Sequence, residues 1–134
     1  MEMIPIKRED LHRSLFRDVV FIMFAEPGAM ICGGDFRFIT RDGKFYGFNY
    51  LQDDIELKHI RELFPDFRDF CFGAFGKNTR LPMGWKYMYL GVGRHLAVEE
   101  SVWPEFEEQL LDCQNAFEVA ANWWRYALRI LNYD

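Results

Sequence analysis

The topology turns on GGDFRFITRDGKFYGFNYL, residues 33–51. Two runs of β-forming residues flank Asp42-Gly43, and a two-residue Asp-Gly loop, with positive φ at both positions, is what a type I′ hairpin uses. Such a loop sets Thr40 opposite Phe45, Phe38 opposite Gly47 and Phe36 opposite Asn49 on one face of the ribbon. Arg41 with Lys44, Ile39 with Tyr46, Arg37 with Phe48 and Asp35 with Tyr50 share the other. One face is then mostly phenylalanine, and the other mixes cations with rings.

On either side of this hairpin the pattern changes period. WKYMYL and HLAVEE flank Gly91-Val92-Gly93-Arg94 and predict a second hairpin. Leu11, Leu15, Val19, Ile22 and Met23 recur at helical spacing between Arg13, Arg17 and Asp18, which predicts an amphipathic helix over 9–25 that ends before Pro27 and Gly28. The continuous apolar run 19–24 also suits a buried strand, because periodicity does not separate the two over so short a span. Asp53 followed by Glu56 resembles a capping box and opens a helix over 53–64, stopped by Pro65. Residues 69–84 alternate Phe with Gly and then turn polar, the composition of a loop anchored by a few rings. Pro104 suits the first turn of a helix running to about Asp112.

The last helix, about 115–132, carries Asn115, Glu118, Asn122, Arg125, Arg129 and Asn132 at alternating steps of three and four, on one narrow stripe. The rest of its circumference is apolar or aromatic, so either its own chain or a second copy must cover it; a homodimer through this helix is the alternative to the preferred internal packing. The expected fold is α+β, a single globular domain over 1–134. Its antiparallel sheet is built from two β-hairpins, with an N-terminal strand as a candidate addition, and packs against an N-terminal helix and the long apolar C-terminal helix.

Composition excludes several functions. Half of the 134 residues are apolar, enough for a substantial core, and 14 phenylalanines point to ring packing within it. The apolar run VVFIMFA at 19–25 is far short of a membrane span, and MEMIPIKRED lacks the basic-then-apolar pattern of a secretory leader, so a cytoplasmic protein is expected. Cys32, Cys71 and Cys113 are odd in number and form no CxxC pair, which suits reduced, buried thiols. His12, His59 and His95 stand at no metal spacing, so no metal or other cofactor is expected. GVGRH leads into a strand and reads as a turn, not a dinucleotide fingerprint. Asp53-Asp54 and Glu99-Glu100 read as caps and solvated edges, and with no nucleophile elbow or phosphate loop present an enzyme is not expected.

Two features bear on partners. Lys44, Tyr46, Gly47 and Phe48 match part of an aromatic RNA-binding signature, but Phe45, Asn49 and Leu51 occupy positions that should hold Gly, an aliphatic residue and a ring. With a net charge of −5 repelling phosphates, single-stranded RNA binding by Tyr46, Phe48 and Tyr50 is the alternative, and nucleic acid is not the expected partner. A small-molecule site or enzyme walled by Trp and Tyr is a third reading. The sharper feature is EESVWPEFEEQLLD, residues 99–112, where Glu99, Glu100, Glu105, Glu107, Glu108 and Asp112 surround Trp103 and Phe106 with no Lys or Arg among them.

A compact, acidic, ring-rich chain of this kind resembles in type the small immunity proteins of bacterial toxin systems, many of which plug a basic nuclease site with an acidic surface. The residues that carry the likeness are the acidic run 99–112 and the ring-bearing hairpin 36–50. The resemblance implies a basic protein partner, bound through Glu99, Glu100, Trp103, Glu105, Glu107, Glu108 and Asp112, with neither substrate nor cofactor.

Overall fold

The computed structural model describes residues 3–29, 32–72, 75 and 79–133. Six strands form one sheet in the order β1-β4-β3-β2-β6-β5: β1 Ile4–Pro5, β2 Val19–Ala25, β3 Asp35–Thr40, β4 Phe45–Asn49, β5 Trp85–Gly91 and β6 Arg94–Glu99. Every neighbouring pair is antiparallel except β1 with β4, which is parallel. Among the described residues four α-helices accompany it: α1 Leu57–Leu63, α2 Arg68–Phe72, α3 Trp103–Leu110 and α4 Ala116–Ile130.

The expected N-terminal helix over 9–25 is absent. Its first half forms two short 3₁₀ turns, Arg8–Asp10 and Arg13–Phe16, and its second half is β2, whose seven residues are all buried. β2 pairs with β3 on one side and β6 on the other, so the strand that the sequence allows as the alternative to a helix at 19–24 joins the two hairpins into one sheet. Both faces of β2 are covered, and a strand covered on both faces needs no polar alternation; β-branched and aromatic side chains then favour the strand.

The first hairpin forms, with a different register. Ile39 pairs with Phe45, Phe38 with Tyr46, Arg37 with Gly47 and Phe36 with Phe48. The loop holds three residues, Arg41-Asp42-Gly43, and only Gly43 takes positive φ, at 81°. The Gly43 amide donates to the Thr40 carbonyl at 2.9 Å, the Thr40 amide to the Lys44 carbonyl at 3.0 Å, and the Thr40 hydroxyl to the Asp42 carboxylate, which favours the longer loop over a type I′ turn. A one-residue slip exchanges the faces of a strand. Tyr46 and Phe48 therefore join Phe36 and Phe38 on one side, while Phe45 joins Ile39 on the other.

Each face of the sheet has its own core. α3 and α4 cover Phe21, Met23, Ile39, Phe45, Leu96 and Val98, and the buried Trp123 of α4 meets Phe21 and Phe45 at ring-centroid distances of 6.4 and 6.0 Å. The 3₁₀ turns and the α1–α2 segment cover Ile22, Phe24, Phe36, Phe38 and Phe48 with Phe16, Ile60, Phe64, Phe67 and Phe70. α1 begins after Glu56, later than the sequence suggests, because Asp53 turns back to accept the Asn49 amide at 2.8 Å. Of the expected loop 69–84, residues 69–72 belong to α2, and 73, 74 and 76–78 lie outside the described residues.

The β5–β6 hairpin, α3 and α4 stand where the sequence sets them. Asn115 caps α4 by accepting the Glu118 amide at 2.9 Å, and Glu118 accepts the Gln114 amide at 2.7 Å. Arg125, Arg129 and Asn132 face solvent, and Val119, Ala120, Trp123, Ala127 and Leu128 are buried against the chain's own sheet. The apolar face of α4 is thus covered internally. Among the described residues no helix is long and apolar enough to cross a membrane.

Candidate functional site

α3 lies along one edge of the helix layer. Trp103, Phe106 and Leu110, at i, i+3 and i+7, turn toward the core, and Trp103 and Phe106 pack ring to ring at 6.3 Å. That spacing leaves Glu105, Glu107 and Glu108 on the solvent side, followed by the exposed Leu111 and Asp112. Glu105 and Glu108 stand one turn apart on α3, and Asp112 follows just past its end. Among the described residues no ion pair reaches Glu105, Glu107, Glu108 or Asp112.

The first two residues of the acidic run behave differently. Glu99, at the end of β6, accepts from Arg41 of the first hairpin at 2.8 Å and from the Ser101 hydroxyl. Burial works to raise its pKa, and the bonds from Ser101 and Arg41 more than offset it, so the carboxyl sits below its ordinary value. Glu100 lies 3.9 Å from Lys86 of β5. Both are spoken for within the chain. Trp103 is half-buried and packed on the core, not a free anchor.

Two apolar residues that the sequence does not single out are exposed instead. Leu111 is 80% exposed and Phe117, in the first turn of α4, is 77% exposed. They flank the segment joining α3 to α4, Leu111 next to Asp112 in the chain and Phe117 at the far end. Their position in apolar stretches suggests burial; the only available signal is that Leu111 falls one residue past the inward Leu110 and Phe117 two residues before the inward Val119, off the buried stripes.

The second candidate surface, Tyr46, Phe48 and Tyr50, is not a platform. Phe48 is 5% exposed and stacks on Phe36 at 5.3 Å; Tyr46 stacks on Phe38 at 5.2 Å and Tyr50 on Phe24 at 6.2 Å, both half-buried. The layer containing Phe64 and Phe67 covers this face, which removes the open rings an RNA base would stack on.

One buried titratable group is His95 in β6, packed against Phe75 at 3.8 Å between ring centroids. The Tyr87 hydroxyl meets its Nδ1 at 2.6 Å, and its Nε2 lies 3.2 Å from Glu26 Oε2 without hydrogen-bond alignment. Among the described residues no group of three or more His, Cys, Asp or Glu is arranged to hold a metal ion. No family model, curated protein or solved structure matches the chain.

Proposed function

We propose that this chain is a protein-binding module that docks a basic protein on the outer face of α3, in the manner of immunity proteins that neutralise toxins. The observation that carries the reading is that Glu105, Glu108 and Asp112 are exposed and, among the described residues, meet no cation, while Leu111 next to Asp112 and Phe117 at the start of α4 are exposed as well. Two desolvable side chains bordered by uncompensated charge have the anatomy of an interface centre and its rim. The carboxylates steer a cationic partner and set its orientation, and Leu111 and Phe117 supply the area that holds it.

The test is capture from the native cell on three immobilised baits: wild type, E105K/E107K/E108K, and L111A/F117A. A basic protein retained by the wild type and lost from both variants is the expected result, with its association slowing as salt rises. A partner held equally by all three baits overturns the reading.

A further inference from the structure

A cleft of about 460 Å³ opens between the first half of α4 and the sheet, away from the α3 face. Its apolar wall includes Phe45, Trp123 and Trp124, and the rings of Phe45 and Trp124 lie nearly parallel, 5.6 Å apart. Its polar lining is Cys32, Asp35, Arg37 and Arg94. The size and the mixture, apolar rings with a few convergent polar groups, are those of a small-ligand site.

Charge in the cleft does not balance. Arg37 is held by Asp35 at 3.0 Å. Arg94, the first residue of β6, donates from Nη1 to the Ala120 carbonyl of α4 at 2.8 Å, its Nε is buried without a hydrogen-bond partner, and among the described residues no carboxylate pairs with it. Cys32 does not supply the missing anion, since burial pushes its thiol up more strongly than Arg94 and Arg37 pull it down. The cleft therefore carries one excess positive charge in a protein whose net charge is −5. A half-buried guanidinium without a counter-charge is costly, and an acceptor from outside relieves that cost.

We propose that the cleft binds a small aromatic monocarboxylic acid, its carboxylate on Arg94 and its ring against Trp124 and Phe45. Asp35 beside Arg37 disfavours a dianion such as phosphate, and the parallel rings favour a flat body over a branched one. The α3 face plays no part here, so either proposal can fail without the other.

Benzoate, phenylacetate and indole-3-acetate are titrated into the ¹⁵N-labelled protein, and the indole N–H signals of Trp123 and Trp124 are followed, with phenylacetamide as the neutral isostere. At least one acid should give saturable shifts at these indoles, with Kd about 1 mM or tighter. Phenylacetamide should bind at least about ten-fold more weakly than phenylacetate, the loss of one charge-assisted contact. Arg94→Gln should remove the response while Arg68→Gln, on the exposed side of α2 and outside the cleft, keeps it. No saturable shift with any of the three acids, equal affinity for phenylacetate and its amide, or retained binding in folded Arg94→Gln overturns the proposal. If Arg94→Gln does not fold, the comparison of acid with amide on the wild type decides.

Discussion

The hydroxyl of Tyr87 lies 2.6 Å from Nδ1 of His95, a ring only 2% exposed. Burial lowers the pKa of His95, and the Glu26 carboxylate 3.2 Å from its Nε2, which acts the other way, does not restore it. The fold therefore selects neutral imidazole, and the unfolded chain binds the proton more readily. The stability this contributes is fully present above the ordinary histidine value of about 6.5, and is lost as pH falls from there through the lowered folded value, with a slope of at most about 1.4 kcal/mol per pH unit. Urea midpoints between neutral and mildly acid pH should fall for the wild type, and the fall should be shallower for His95→Gln. Parallel curves for the two proteins would show that His95 does not titrate with unfolding.

Trp123 joins the α4 layer to the sheet through Phe21 and Phe45. Trp123→Ala removes its ring from a fully buried site and leaves a cavity that the flanking strands cannot close, so a loss of about 3–5 kcal/mol is expected in denaturant unfolding. A loss below about 1 kcal/mol would mean that α4 is not seated on the sheet as described.

Gly43 has φ of 81°, and a Cβ added there would run into the ring of Tyr133. Gly43→Ala thus combines a left-handed backbone with a clash, and a loss of about 1–3 kcal/mol is expected. In the double variant with Tyr133→Ala the clash disappears and the backbone cost stays, so the two losses should be less than additive. Strict additivity of the melting shifts would show that the C-terminal ring does not pack on the hairpin turn.

Features set by neighbouring residues were legible in the sequence: the β5–β6 hairpin and the Pro104 start of α3 both depend on contacts within a few positions. β2 was legible only as the alternative to a helix, because the run Val19–Phe24 is too short for its period to decide and becomes a strand through pairing with β3 and β6. The hairpin register was missed because Asp42-Gly43 suits a two-residue or a three-residue loop, and Thr40 selects between them. The exposure of Glu105, Glu107 and Glu108 was legible from helical spacing. The pairing of Glu99 was not, since Arg41 comes from 58 residues away.

That difference within one acidic run leads to the last expectation. Glu99 and Glu105 are six positions apart, yet Glu99 is engaged by Arg41 and Ser101, whereas Glu105 faces water without a cation near it among the described residues. Glu99→Gln should destabilise the chain slightly, by less than about 1 kcal/mol given how far solvent screens such a pair, and should leave capture of a basic partner as it is. Reversal of Glu105 and Glu108 to Lys should lower the melting temperature only slightly, by the favourable place of Glu105 in the first turn of α3, because neither charge is paired in the fold. It should slow association and flatten its dependence on salt. Stopped-flow association rates at two ionic strengths, alongside melting curves for each variant, separate the two effects. If Glu99→Gln slows association as much as the double reversal does, the steering charge is spread over the whole run 99–112 and is not confined to the open face of α3.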